Sequence, residues 1–349
     1  MESILTFDSL GFTLAVKLVA VVAFFLLAPL VVGYMEHKVL GDMQSRVGPY
    51  EAGIGPVKFG VGQLVADGAK FIQKEDIIPR AADKWVFAAA PAVALVPTLL
   101  ILVVVPFGPG AWAENLDVGL FFALAASGVT VIGILMAGWA SANKYSLMGG
   151  LRDAAQLIAY ELPLVLAGAA VALQAGSLSL VDIVQAQGSA SLLGLPVWFG
   201  IPQIAGLALF FVAAMAELNR PPFDMPIADS EIIFGHMTEY TGIRYAMFML
   251  SEYAGMVVLS ALAVVLFLGG WYIVPGTTWP YEQLGPAASA LLGFGVTMGK
   301  IIILAFLMVW ARATLPRLRE DQLQTMAWMV LIPLALAQIV VVGVLEVVA

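Results

Sequence analysis

Runs of about 20 apolar residues, the length needed to cross bilayer hydrocarbon, recur eight times along the chain. They extend approximately over residues 12–34, 85–106, 118–140, 154–173, 197–218, 246–270, 291–311 and 325–345. This pattern predicts an all-α membrane protein, a single integral membrane domain over 1–349 with eight transmembrane helices and large structured cytoplasmic loops. In the first loop Val57, Val61, Leu64, Val65 and Ile72 recur at helical spacing, with Gln63, Asp67, Lys70 and Lys74 on the opposite face. An amphipathic helix over 57–74 is expected there, lying at the membrane interface or against a partner. Trp85, Trp112, Trp139, Trp198, Trp271 and Trp310 fall near span ends, as interfacial tryptophans do. The first run is too long for a signal peptide, and Glu2 and Asp8 precede it in place of positive charge. The chain carries no internal repeat and no low-complexity tract.

Composition strengthens the membrane assignment. The 349 residues are 61% hydrophobic and 11% charged, with a mean hydropathy of +0.96. A soluble domain is nearer half apolar and a quarter charged. The net charge of −8 hides a segregation of acids and bases by side. Lys38, Arg46, Lys58, Lys70, Lys74, Arg80 and Lys84 lie between spans 1 and 2, and Lys144 and Arg152 between 3 and 4. Arg220 and Arg244 lie between 5 and 6, and Arg312, Arg317 and Arg319 between 7 and 8. The opposite loops carry acids such as Glu114, Asp117, Asp182 and Glu282, and no Lys or Arg. The excess of bases therefore predicts these four loops on the cytoplasmic side and both termini outside. With no cysteine, disulfides, thiolate zinc sites and cysteine-ligated clusters are excluded. His37 and His236 lie in separate polar loops, a poor haem pair, so the chain is expected to carry no redox centre.

Against this apolar background, Glu161, Glu217 and Glu252 stand out. A charge at the centre of a membrane helix costs about 2.5–3.5 kcal/mol even on the mildest scale. Glu161 lies roughly 13 Å of helix in from Arg152, Glu217 at the inner end of span 5, and Glu252 roughly 9 Å into span 6. The three are expected to form one layer on the cytoplasmic side of the midplane, as a proton or ion path would. Apolar surroundings favour the neutral carboxyl, which suits groups that must gain and lose protons. Pro163, two residues after Glu161, frees a backbone carbonyl and favours a kink. After Glu217 come Asn219, Arg220, Pro221, Pro222, Phe223 and Asp224, then Asp229, Glu231, Glu239 and Arg244. The paired prolines end the helix and force extended backbone. Phe223, Met225, Ile227, Ile232, Ile233 and Phe234 make this loop too apolar for free solution, so it is expected to line a cavity. Lys300 falls near midmembrane in span 7, where it needs a carboxylate or water; Lys17 is shallower and can snorkel outward.

These residues closely resemble the quinone-site membrane subunit of respiratory complex I, the NuoH family of NADH:quinone oxidoreductase subunits. The resemblance rests on Glu36-His37-Lys38-Val39-Leu40-Gly41 with Arg46, on Ala66-Asp67-Gly68-Ala69-Lys70-Phe71, and on Gly149-Gly150-Leu151-Arg152 with Gln156. It continues through Tyr160-Glu161-Leu162-Pro163, Pro222-Phe223-Asp224, Ser230-Glu231, Glu239-Tyr240 and Glu252-Tyr253. Lys300, Trp310 and Arg312-Ala313-Thr314-Leu315-Pro316-Arg317 complete it, so it covers almost the whole chain in order. Three positions depart from the pattern. The family often has Arg where His37 stands, replacing a fixed charge by a titratable one. It usually has Glu where Ile227 and Asp229 stand, and Lys where Met329 follows Trp328. The departures bear on the count of relay carboxylates.

The resemblance implies the quinone-chamber and energy-coupling membrane subunit of a proton-translocating NADH:quinone oxidoreductase, a non-redox subunit without activity alone. It implies a chamber bordered by Arg46, Asp67, Arg220, Phe223, Arg312 and Arg317, with His37 at its mouth. It implies a charged axis of Glu161, Glu217, Asp224, Glu231, Glu239 and Glu252, to which Lys300 is added for its depth. Quinone would be the substrate of the complex, with FMN and iron–sulfur clusters held by partner subunits. The implied partners are the peripheral-arm subunits, small membrane subunits, antiporter-like subunits and membrane lipid, with no nucleic acid. The implied location is the bacterial inner membrane. Two other readings stay open: the equivalent subunit of an energy-converting hydrogenase, and a stand-alone ion transporter. The missing inverted repeat speaks against the second.

Overall fold

The computed structural model describes residues 10–53, 58–189, 191–192, 195–228 and 231–348. Glu2, Asp8, Val57, Asp229 and Ser230, named above, lie outside them. The described chain is built from helices: α1 (Leu10–Met43), α2 (Gln63–Gln73), α3 (Lys84–Val104), α4 (Gly119–Ala140), α5 (Lys144–Ala175) and α6 (Leu180–Ser189). After a two-residue β1–β2 hairpin (Ser191–Leu192, Leu195–Pro196) come α7 (Ile204–Glu217), α8 (Gly242–Phe267) and α9 (Pro286–Thr314). The last span is α10 (Glu320–Thr325), a π-helical turn at Met326–Leu331 and α11 (Ile332–Val348), continuous from Glu320 to Val347.

Burial follows apolarity around each helix. From Ala254 to Phe267 every α8 residue is buried, which makes α8 the central helix of the bundle. A helix apolar on all faces belongs inside a bundle or in lipid. The α1 helix and the last span are the opposite case, with only 22% of each apolar window buried and the rest facing outward.

Among the described residues seven helices are long and apolar enough to cross a membrane, and the predicted fifth span is shorter than expected. Its helix, α7, has 14 residues, about 21 Å, against a hydrocarbon core of about 30 Å. The chain before it turns through Gly200, Ile201 and Pro202. There the Gly200 amide donates to the Phe267 carbonyl at the end of α8 (2.7 Å). Gln187 of α6 completes this corner, donating to the Val265 carbonyl (2.8 Å) and accepting from the amides of Phe199 (3.3 Å) and Gly269 (3.0 Å). Protein groups thus satisfy the non-helical backbone at the N-terminal end of α7, as a site away from water requires.

The four loops rich in Lys and Arg share one face of the bundle. Arg244 Nη1 lies 2.9 Å from Asp76 Oδ2, Arg152 Nη1 2.8 Å from Glu231 Oε2, and Arg317 Nε 2.7 Å from Asp224 Oδ1. On the opposite face Lys17 Nζ reaches Glu114 Oε2 at 3.5 Å. Two of the tryptophans expected at the interface are instead packed inside the loops of this opposite face: Trp112 and Trp271 are 5% and 2% exposed, their rings stacked 6.5 Å apart. Loops folded back over the bundle exclude them from lipid. Trp85 and Trp139 remain exposed.

The amphipathic helix of the first loop is α2, covering Gln63–Gln73 of the expected stretch. Leu64 leans towards Gly33 of α1, and Phe71 lies 5.6 Å from the Tyr245 ring of α8. Val65 and Ile72 face outward.

Candidate functional site: a buried charge chain and its cavity

The first span predicted to end near Tyr34 continues as helix to Met43, which places Glu36 on α1 facing the bundle, 1% exposed. A second charge arrives from the end of α7. Asn219 adopts a left-handed conformation (φ 52°), tolerated best by Asn, Asp and Gly, and directs the chain back inward. Arg220 is thereby held between α1 and α8, 2% exposed. Its Nη1 donates to Glu36 Oε2 (2.6 Å), and its Nε approaches Glu252 Oε1 to 2.7 Å, off the N–H axis. The guanidinium also lies 4.8 Å over the Tyr253 ring, a cation–π contact. Arg312 of α9 pairs with the other oxygen of Glu36. Arg312, Glu36, Arg220 and Glu252 thus alternate in sign across α9, α1, the α7–α8 loop and α8. Burial of such ions is tolerated because each charge faces its opposite.

Glu252 is also part of the wall of a cavity of about 90 Å³ between α3, α4, α7 and α8, shared with Glu217, Ser127, Thr130, Asn219 and His236. That volume admits several water-sized molecules, and its polar groups could bind them. Ser127 and Glu161 are neighbours of the Glu217 carboxyl, the first a hydroxyl and the second another acid. The Glu161 side chain sits against Gly128 of α4, where an added Cβ would collide with Oε1. Glycine at 128 therefore makes the space for this carboxyl. The helix α5 runs unbroken through Pro163.

The remaining predicted residues lie around this centre. Phe223 is buried edge-on to Tyr160 (5.4 Å), and its carbonyl accepts from Gln156 Nε2 (2.7 Å). Met225 and Ile232 are buried too, whereas Ile233 and Phe234 face outward, so one part of the loop is inserted and another is surface. Asp224 and Arg317 form a two-point pair, both contacts 2.7 Å. Glu231 pairs with Arg152, and Glu239 Oε1 accepts from Asn143 Nδ2 (2.5 Å). Next to it, burial pushes the Tyr240 phenol well above its ordinary range, keeping it a neutral donor to the Phe87 carbonyl (3.1 Å). Asp67 accepts from Gln63 on α2 (3.1 Å), and exposed Arg46 donates to Gln44 (2.7 Å). His37 is half-buried on α1, with its carbonyl close to Gly48. Among the described residues no group of three His, Asp or Glu side chains is arranged to hold a metal ion.

Lys300 stands apart from the carboxylates. Its Nζ donates to the carbonyls of Leu268 (2.6 Å), Gly270 (2.9 Å) and Tyr272 (2.7 Å) and lies 4.3 Å over the Trp198 ring. Among the described residues no carboxylate pairs with it; it meets the C-terminal end of α8, whose unsatisfied carbonyls attract a cation. From Glu252 to Leu268 is about 24 Å along that helix.

Sequence reasoning did not single out Glu36, Asp153, His236, Asn219 or Gln156 as site residues. Gln156 Nε2 ties Asn219 Oδ1 (2.9 Å) to the carbonyls of Ala216 (2.7 Å) and Phe223. Glu36 was legible as an acid at the end of an apolar run. The others depend on a loop folding onto α5, for which spacing holds no signal.

Fold and charges together define a multi-pass helical membrane protein with a charged chain buried at one end of the bundle. The model of the NADH dehydrogenase family matches residues 16–343, and the chain belongs to that family. Relatives named as subunits of NADH-quinone oxidoreductase include one from Brevibacillus brevis, 45% identical over 330 residues (95% of this chain, 91% of the relative). Another, from Geobacillus kaustophilus, is 42% identical over 351 residues, covering 99% and 95%. A third, from Bacillus mycoides, is 45% identical over 310 residues, covering 87% and 85%.

Proposed function

We propose that this chain is the quinone-chamber and energy-coupling membrane subunit of a proton-translocating NADH:quinone oxidoreductase. Family membership supports the enzyme, and the names of the relatives favour it over a hydrogenase or a stand-alone transporter. The observation that carries the coupling role is the sign-alternating chain from Arg312 through Glu36 and Arg220 to Glu252, which ends on the cavity shared with Glu217. Quinone reduction beside this chain takes up protons and changes the charge at one end. A unit charge acting over about 10 Å at an effective dielectric of about 20 contributes about 1.7 kcal/mol, more than one pKa unit of bias on a carboxyl.

In this reading Arg46, Asp67, His37, Phe223 and Arg317 border the chamber on the loop face, with Arg220 and Arg312 at its inner wall. Glu161, Glu217 and Glu252 carry protons or charge onward, and Asp224, Glu231 and Glu239 join the axis from the loop. Its bonds to three carbonyls support a more limited part for Lys300, bracing the far end of α8. FMN and iron–sulfur clusters belong to peripheral-arm partners, and small membrane and antiporter-like subunits receive the charge change. The excess of bases in four loops supports both termini outside, and the bacterial sources of the relatives support a bacterial inner-membrane location.

The test is Glu161→Gln, which keeps shape and removes titration. NADH:quinone activity and pumping should fall while the peripheral arm still reduces an artificial acceptor. Normal quinone activity and pumping in Glu161→Gln, Glu217→Gln and Glu252→Gln alike would sink the coupling role.

A further inference from the structure

The inner part of α5 holds a second buried acid outside the charge chain. Asp153 is 0% exposed. Its Oδ1 accepts from Asn219 Nδ2 (2.8 Å), and its Oδ2 lies 2.9 Å from His236 Nδ1, off the N–H axis. Among the described residues no Lys or Arg forms an ion pair with it. A carboxylate so enclosed must be paired or protonated, and His236 is the group in place to do either.

His236 is 4% exposed and belongs to the wall of the cavity that Glu217 and Glu252 share. Its ring lies edge-on to Phe248 of α8 at 5.3 Å. Gly149 keeps it there: a Cβ on that residue would run into Gly235 Cα and come within 2.9 Å of the His236 amide. The charged groups around the imidazole are Asp153 from α5, Glu252 from α8 with Arg220 behind it, and Glu217 from α7 across the cavity; α4, which also packs against this segment, carries no charged residue.

A charge count gives the pair its meaning. Arg312 and Arg220 balance Glu36 and Glu252. Among the described residues Glu161, Glu217 and Asp153 then remain without a guanidinium partner, and protons must supply what arginine does not. We infer that Asp153 and His236 form a proton-exchanging pair that loads the cavity from the loop side. The Asp153–His236 pair holds one proton, Asp153 Oδ2 and His236 Nδ1 lying 2.9 Å apart. It passes from the imidazole through the cavity to the carboxylate of Glu217, and another proton entering from the loop side replaces it. The transfer moves one proton and no electron. Between the transfer and that replacement Glu217 is neutral and Asp153 an unpaired anion, so the transfer itself leaves the number of unbalanced anions unchanged; the replacing proton then lowers it by one.

The inference rests on the coupling role proposed above, and Glu217→Gln separates the two. The whole complex is reconstituted in vesicles carrying Asp153→Asn, His236→Gln, both together, or Glu217→Gln. Each single change is expected to lower the pumping rate at least fivefold, with artificial-acceptor reduction by the peripheral arm within twofold of wild type. The double variant should be no better than the singles, because two amides can restore a hydrogen bond but cannot hold a mobile proton; a packing role would be repaired in it. With ring-labelled histidine, the redox-induced infrared difference spectrum should contain an imidazole band that His236→Gln removes. If Asp153→Asn does not assemble, His236→Gln, which keeps a donor towards Asp153, carries the same test. Pumping within twofold of wild type in the pair variants, with Glu217→Gln impaired, would overturn this inference alone. Normal pumping in all four would overturn the coupling role and the pair with it.

Discussion

Arg220→Met is the sharpest probe of the buried charge chain, because the structure says which remaining acid suffers. The guanidinium is 2% exposed and touches both Glu36 and Glu252. Removing one partner of a buried ion pair typically costs about 3–5 kcal/mol, mostly from the charge left behind. Here the two orphans are unequal. Glu36 keeps Arg312, whereas Glu252 has no second cation in contact among the described residues. Arg220→Met should therefore lower the thermal midpoint of the detergent-extracted complex by at least about 5 °C, at about 2–4 °C per kcal/mol or somewhat less in so large a chain. Adding Glu252→Gln removes the orphaned charge and should recover most of the loss. Adding Glu36→Gln should not, since it strands Arg312 and leaves Glu252 bare. The assay is a double-mutant cycle on melting and on the amount of assembled complex, the appropriate measure for groups in one network. An Arg220→Met complex as stable as wild type, or equal rescue by the two glutamines, would refute the assignment of partners.

Other predictions follow from single contacts. Gly128→Ala places a methyl against the Glu161 carboxyl and should reduce quinone-linked activity several-fold while artificial-acceptor reduction is spared; unchanged activity would show that Glu161 can move without consequence. Gly149→Ala pushes on Gly235 and should cost about 1–3 kcal/mol by overpacking, read as a lower melting temperature. Lys300→Met strips three carbonyls of their donor and should destabilise the protein more than Lys300→Arg does, with the quinone KM unchanged; a raised KM in Lys300→Met would place it nearer the chamber than its contacts indicate. Arg46→Ala, at an exposed site whose side chain donates to nearby Gln44, should alter quinone KM or inhibitor sensitivity and leave assembly intact; normal kinetics would make the first loop purely structural.

Much of the architecture was legible because solvent exclusion writes itself into sequence. A helix in lipid must be apolar over about 20 residues, so the spans could be counted, and bases in alternate loops assigned those loops to one face. Glu161, Glu217 and Glu252 could be picked out for the same reason, since a carboxyl among leucines and alanines has no inexpensive place to be. Hydropathy is blind to what fills the space around a segment. It could not show that α7 is short, because Gln187 and the end of α8 complete its crossing from outside the run itself. Nor could it separate Trp112 and Trp271, packed under loops, from Trp85 and Trp139 at the surface. Partner choice was the deepest omission. Glu36 and Arg220 are 184 positions apart, Asp153 and His236 83 apart, and Lys300 meets carbonyls that any sequence possesses. The composition of each helix dictated that these charges needed partners; only the packing of α1, α5, α8 and α9 around one inserted loop decided which, because ion pairing depends on distances of a few ångströms that chain spacing does not encode.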